Sequence, residues 1–230
     1  MFLVCLSIDG DGEDYSDIIE EYERRGLHIR VIYGKENGGP GMARQRILET
    51  TQCDYLMYLD ADDMLMPRAV EVLSRNIRVN DMDIVRSSMI REENLKNDKV
   101  IAQNVNTITW FHGKIYRVQY LRDINLSFLP GLRTDEDAYF NVIAWNCTAK
   151  RGELNEITYL WRFNENSITR SRNELTYFNS TCTDYIRSQV EGLKRLHEIK
   201  DGVQDALISA TLQNLYYYYM KAKTTNVDLS

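Results

Sequence analysis

Short apolar runs and longer amphipathic ones take turns along residues 1–90. "MFLVCLSI" is almost wholly apolar and stops at the turn-forming "DGDGED", which predicts a buried strand followed by an acidic loop. "YSDIIEEYERRG" sets Ile18, Ile19 and Tyr22 on one side of a helix, with Ser16 or Asp17 as its cap and Gly26 as its stop. "LHIRVIYG" is short and β-branched, a second strand, and "GGPGMARQRILETT" reads as a glycine-rich turn entering a helix. "YLMYLD" is a third strand; Pro67 then opens a helix where its missing N–H does no harm. Residues 83–90, "DIVRSSMI", give a fourth strand. Strands alternating with helices predict a mostly parallel α/β sheet covered on both faces. Ligands of such sheets bind beyond the carboxyl ends of the strands. Asp9 and Asp11 follow the first predicted strand and Asp60, Asp62 and Asp63 the third, so both acidic loops belong on one edge.

From about residue 104 the rhythm changes. Aromatics including Trp110 precede a loop with Pro130 and Gly131, and a second acidic cluster, Asp135-Glu136-Asp137, opens an amphipathic helix bearing Tyr139, Phe140, Ile143 and Ala144. Carboxylates at a helix N-terminus gain roughly 0.3–1 kcal/mol each from the dipole, so a capping role stays open beside a chemical one. "EITYLWRFNENSITRS" reads as an edge strand running into a polar loop, and residues 173–222 as two long helices. The second of these carries "LYYYYM", and a helix can turn only about half of those rings inward, which leaves ring surface for a partner or for oligomerisation.

Composition narrows the classes. A length of 230 residues suits one large domain with a helical appendage. A net charge of −6 removes the basic footprint of a nucleic-acid binder at the level of the whole chain. The four cysteines are far apart and include no CxxC pair, which argues against a disulfide framework or zinc site and for free thiols in a reducing cytoplasm. No apolar run approaches the roughly 20 residues that span a bilayer, and the first residues do not resemble a signal peptide. A cytoplasmic location is therefore expected. Asp60, Asp62 and Asp63 repel one another unless a cation sits between them. Their expected place at the sheet edge favours a cation site over a solvated turn.

The stretch "ENGGPGMARQRILETTQCDYLMYLDADDMLMPRAVEVL" resembles the nucleotide-sugar-binding half of family 2 glycosyltransferases with the GT-A fold. "FHGKIYR", "TDEDAYF" and "WRFNENSITR" resemble, in order, the acceptor-side segments of the same family. The resemblance covers residues 1–170, with a donor half over 1–90 and an acceptor half over 91–170; residues 171–230 form a helical C-terminal extension outside it. It implies an inverting transfer from a nucleoside-diphosphate sugar, taken as a UDP-sugar, to the hydroxyl of a glycan, lipid-linked, protein or other acceptor, assisted by Mn2+ or Mg2+. By that resemblance Asp62 ligates the metal, Asp60 holds the metal or the ribose, and Asp63 stands behind them. Asp137 is the base that takes the acceptor proton, with Glu136 as its neighbour. Asp9 or Asp11 reads the nucleotide base; "IDGDGED" leaves open which. Arg44 matches the arginine of the family's "ARN" segment and contacts the donor, although Gln45 replaces the asparagine. Trp110 and His112 line the acceptor pocket, and Arg162 and Ser167 belong to a loop over the donor.

Family members normally begin with a further strand and helix. This chain starts at what corresponds to their second strand, which implies a truncated or rebuilt sheet. Two other readings compete. One is a binding protein of the same fold that turns nothing over. The other is a haloacid-dehalogenase-like phosphatase, whose nucleophile loop "YLMYLDADD" also resembles, except that Met64 stands where that family has Thr or Val.

Overall fold

The computed structural model describes residues 2–10, 12–95, 99–164, 174–199 and 205–224; Asp11 and Ser167 lie outside them. β1 (Val4–Ile8) and β2 (Ile29–Tyr33), connected through α1 (Ser16–Arg24), pair in parallel as a two-stranded sheet. After α2 (Gly39–Thr50) the chain enters a second sheet of six strands: β3 (Tyr55–Leu56), β4 (Met64–Leu65), β5 (Ile84–Leu95), β6 (Lys99–Val105), β7 (Lys114–Arg117) and β8 (Arg151–Trp161). Its order is β3-β7-β5-β8-β4, with β6 paired to β5. Helices α3 (Ala69–Val79), α4 (Val118–Asp123) and α5 (Glu136–Asn146) connect these strands, and α6 (Glu174–Ile199) and α7 (Asp205–Thr224) follow them.

The α/β alternation read from the sequence is present, but the larger sheet is mixed rather than mostly parallel. β5 and β8 run parallel, while β3–β7, β4–β8, β5–β6 and β5–β7 are antiparallel. The connections explain this. β5 turns directly into β6 as a hairpin and β7 follows shortly after, whereas β8 is separated from β7 by two helices, the kind of long crossover that a parallel pair needs.

The predicted third strand is shorter than "YLMYLD". Only Tyr55 and Leu56 pair, because β3 and β4 occupy opposite edges of the sheet and the chain between them must cross its width. That crossing carries the acidic residues over the sheet and buries Tyr58, whose ring lies 4.7 Å from Phe111 and 6.0 Å from Phe128, both edge-on. Phe128 stacks on Phe140 of α5 at 4.5 Å, so the acidic loop and the second acidic cluster share one aromatic core.

α5 is not amphipathic. Ala138, Tyr139, Phe140, Asn141, Ile143, Ala144 and Trp145 are all buried, because α6 covers the side that would otherwise face water. α7 is held to α6 by the stacked rings of Tyr218 and Tyr185 at 3.9 Å, while Tyr216, Tyr217 and Tyr219 stay exposed. Among the described residues no helix is long and apolar enough to cross a membrane.

Candidate functional site

The site assembles around α2. Asp9, just past β1, accepts hydrogen bonds from the Gly38 N–H (3.2 Å) and Gly39 N–H (2.7 Å) where α2 begins, and pairs with Arg46 one helical stretch further on. A carboxylate at a helix N-terminus satisfies donors that the helix cannot. The Gly38 and Gly39 N–H groups of "NGGPG" are thus occupied by Asp9. Gly10, at φ +69, lets this loop approach residues 36–37: a Cβ there would sit 2.6 Å from the Glu36 carbonyl carbon. Gln45, the residue that departs from the family's asparagine, is buried, donates to Glu49 (2.8 Å) and accepts from the Phe128 N–H (2.9 Å).

Arg44 lies two residues before Arg46 and points into the protein. Its Nη2 donates to Asp60 Oδ1 at 2.5 Å and its Nη1 to Glu136 Oε1 at 2.6 Å, with the guanidinium 4.8 Å above the Phe111 ring. Burial alone would favour its neutral form, but the carboxylates of Asp60 and Glu136 outweigh that and lock the charge in place. The sequence reading gave Arg44 to the donor; in the fold both arms of its fork are already engaged by carboxylates.

In the acidic loop, the Asp63 N–H closes a turn onto the Asp60 carbonyl (3.1 Å). Tyr159 of β8 fixes this turn twice: its hydroxyl accepts from the Asp60 N–H (3.3 Å) and donates to Asp63 Oδ2 (2.7 Å). The Arg162 N–H donates to Asp63 Oδ1 (3.0 Å), so Arg162 reaches the loop through its backbone, and Asn164 Nδ2 donates to Asp62 Oδ2 (2.9 Å). His112, just before β7, sets Nε2 3.8 Å from Asp60 Oδ2 and 3.7 Å from Asp63 Oδ2. Burial would raise the Asp60 carboxyl, but His112 and Arg44 beside it hold it well below the usual carboxylate range. Burial raises Asp63 in spite of the Tyr159 hydroxyl.

Asp60, Asp63 and His112 form the group whose ligand atoms lie within 4.8 Å of one another. Asp62 is not in it; it stands exposed at the tip of the turn. Two carboxylates and an imidazole suit a divalent ion of the manganese kind better than magnesium, which prefers oxygen ligands alone, and it is His112 Nε2 that faces the two carboxylates. The donor set fits such an ion. Asp63 accepts one hydrogen bond on each oxygen and keeps lone pairs free, while Asp60 Oδ2 and His112 Nε2 are the less engaged ligand atoms.

The second acidic cluster closes the other side. Asp135, at φ 60, is the left-handed residue before α5, so it is Glu136 and Asp137 that occupy the first helical turn. Glu136 is buried and held by Arg44, and burial still raises its carboxyl. Asp137 makes no ion pair among the described residues; its Oδ1 accepts from the Ala138 N–H (2.7 Å). Burial, followed by the adjacent Glu136 carboxylate, pushes Asp137 up to about 8, and burial with Glu136 pushes Asp135 up to about 6. Asn141, one turn along, donates to the Asp137 carbonyl and to the Thr109 carbonyl (2.9 Å each), tying α5 to the segment that carries Trp110 and His112. Lys114 is buried beneath that segment with its ammonium on the Trp110 carbonyl; burial lowers its affinity for the proton to about 7, against the pull of Asp137.

Beside the acidic loop stands an aromatic wall. Trp110 and Trp161 meet edge-on at 5.1 Å, His112 packs 5.1 Å from Trp161, and Arg91, the cross-strand partner of Trp161, lies 4.8 Å over its ring. The fold therefore gathers Arg44, Asp60, Glu136, Asp137, Trp110 and His112 into one region. Asp9 joins it through α2. Sequence reasoning missed Tyr159 and Trp161. The available signal was a tyrosine inside an apolar strand, whose hydroxyl needs a partner.

The sequence model of glycosyl transferase family 2 matches residues 2–133, more than half of the chain. The chain belongs to this family. The competing resemblance to a phosphatase loop is thereby set aside. A glycosyltransferase of unassigned role from Bacillus subtilis, EpsJ, is 26% identical over 186 residues, covering 72% of this chain and 54% of EpsJ. The chain thus spans about half the length of that curated relative. Among solved structures, residues 1–349 of Staphylococcus aureus TarS with UDP-GlcNAc superpose with a TM-score of 0.69 at 17% identity, covering 95% of this chain and 63% of that one. A Pyrobaculum calidifontis mannosyltransferase with GDP-Man and Mn2+ superposes with a TM-score of 0.59 at 10% identity, covering 97% and 64%. At these identities the likeness establishes the fold, a GT-A-like α/β fold with a mixed sheet.

Proposed function

We propose that this family 2 protein is an inverting glycosyltransferase that moves a sugar from a nucleoside-diphosphate donor, a UDP-sugar, to an acceptor hydroxyl with the help of a divalent ion. The observation that carries this reading is the Arg44 fork, which joins Asp60 of the acidic loop to Glu136, the residue before Asp137. One buried guanidinium thus ties the donor-side and acceptor-side carboxylates together. Support for the donor comes from TarS, solved with UDP-GlcNAc.

In this mechanism Asp137 takes the proton of the acceptor hydroxyl while that oxygen bonds to the anomeric carbon and the bond from that carbon to the diphosphate breaks. With its proton affinity raised to about 8, Asp137 is a strong base in the fraction that is ionised near neutral pH, and that fraction grows as pH rises toward 8. Glu136, fixed by Arg44, keeps the first turn of α5 in register with the acidic loop. Asp60 and His112, with Asp62 exposed at the tip, are the residues to hold a Mn2+ or Mg2+ ion. Bound there, such an ion stabilises the charge that develops on the departing diphosphate. Trp110, Trp161 and His112 offer flat rings against which an acceptor sugar can lie. Residues 1–90 act as the donor half, 91–170 as the acceptor half, and 171–230 as a helical extension.

Calorimetric titration with UDP, GDP and CDP, with and without Mn2+, tests the donor site. Metal-dependent binding of UDP in preference to the others, lost in Asp60→Ala, is the expected result. A folded chain that binds none of the three overturns the reading and favours a module that only binds partners.

A further inference from the structure

Helix α6 lies beyond the stretch matched by the family model, yet it grips the loop that leads to Asp137 at three places. Arg195 Nη2 donates to the carbonyls of Ile124 (3.0 Å) and Asn125 (3.1 Å), and Arg187 Nη2 donates to the Pro130 carbonyl (3.0 Å). Asp184 Oδ2 accepts from the N–H groups of Arg133 (2.9 Å) and Thr134 (3.2 Å) and lies 3.5 Å from the Thr134 hydroxyl. Asp184, Arg187 and Arg195 fall on one face of the helix, three residues and then about two turns apart. Apart from the long contact to the Thr134 hydroxyl, these bonds go to backbone atoms of the loop, so they chiefly fix its path.

The loop needs fixing. Asn125 and Asp135 both take left-handed backbone conformations, φ 46 and φ 60. Asparagine and aspartate tolerate that region better than other non-glycine residues, but it still costs more than the right-handed one, so bonds that hold the chain there matter. Asp135 is the last residue before α5, and its backbone angles set where the first turn, with Asp137, points. The Tyr139 N–H of α5 donates to the Asp135 carbonyl (3.1 Å), and Asp184 holds the two residues that precede Asp135, 133 and 134.

We propose that Asp184 is a positioning residue for the transfer reaction: by holding the Arg133 and Thr134 amides it fixes the left-handed turn at Asp135 and so aims Asp137. This rests on Asp137 being the base. Displacement of a reacting group by about 1 Å can lower a rate by about 100-fold. α6 is then part of the catalytic unit and not an appendage to it.

The test uses the full chain with Mn2+, UDP-GlcNAc as probe, and Asp184→Ala, Asp184→Asn and, as a control on the exposed side of α6, Lys194→Ala. UDP release, with water as the hydroxyl that takes the GlcNAc and gives its proton to Asp137, UDP affinity by calorimetry, and amide hydrogen exchange over residues 130–140 are measured. Asp184→Ala is expected to lower kcat by about 10- to 100-fold with the UDP Kd unchanged. Asp184→Asn restores most of that loss, since its amide oxygen accepts the same two N–H bonds. Exchange of the Arg133–Ala138 amides accelerates in Asp184→Ala while the later turns of α5 stay protected. Unchanged kcat in Asp184→Ala, a parallel loss of UDP affinity, or no rescue by Asn overturns the proposal. If the unaltered chain releases no UDP, the transferase reading fails instead. Exchange then decides the clamp by itself, and equal exchange rates in Asp184→Ala and the unaltered chain overturn it.

Discussion

Arg44 and Glu136 stand 92 residues apart in the chain and are joined by a 2.6 Å ion pair with both side chains nearly buried. The other arm of the same guanidinium holds Asp60. A planar guanidinium presents its donors on separate nitrogens in a rigid fork, so it can span two carboxylates that a single ammonium nitrogen would have to approach together.

Replacing Arg44 is therefore expected to damage stability and chemistry together. Arg44→Ala leaves Glu136 buried without its partner and costs about 3 kcal/mol in urea unfolding. Arg44→Lys recovers part of the stability, because one carboxylate still finds a cation, but little of the transfer rate. A lysine variant with full activity contradicts the bridging role.

Asp137 carries a prediction with a definite sign. Its proton affinity in the folded chain, about 8 against an ordinary 3.8, means that the folded chain keeps a proton which the unfolded chain has already released between roughly pH 4 and pH 8. The folded state binds more protons, so this group lowers stability progressively as pH rises through that window. Asp137→Asn removes the effect. Thermal unfolding should show the variant more stable than the unaltered chain at pH 8 and nearly equal to it at pH 4, while transfer falls by about 100- to 10,000-fold. A variant that melts lower at pH 8 rules out the raised affinity.

The two views of the metal site separate by mutation. His112→Ala and Asp60→Ala should each abolish Mn2+-dependent UDP binding if these residues hold the ion. Asp62→Ala, at the exposed tip, should weaken binding less than either. The reverse ranking, read by calorimetry, returns the principal role to Asp62.

Tyr159 supports the same site from behind. Tyr159→Phe removes the hydroxyl shared by the Asp60 N–H and the Asp63 carboxylate. About 1–2 kcal/mol of stability should be lost. Outer-shell partners of this kind are worth about 10- to 100-fold in metal affinity, and Mn2+ titration should show a loss in that range.

What was legible in the chain was local. The strand "MFLVCLSI", the helix after "NGGPG", the acidic turn at "DADD" and the cluster "DEDAYF" each announce themselves within a few residues, because periodicity, turn formers and proline act on their own neighbours. The ordered motifs also sufficed to identify the family.

What the tertiary structure decided depends on which distant segments meet. The sheet is mixed because β5 turns back on itself through β6, and hydrophobic alternation does not tell a parallel partner from an antiparallel one. "YLMYLD" leaves the sheet after Leu56 because β3 and β4 lie on opposite edges, a matter of strand order. Asp63 and His112, 49 residues apart by their numbers, come within 3.7 Å only because β7 and β8 lie in the same sheet below the acidic loop. Arg44 turned inward because the fold offered it two carboxylates that needed a cation once they left water. Residue types and short spacings set which chemistry was available; long-range packing chose which atoms would share it.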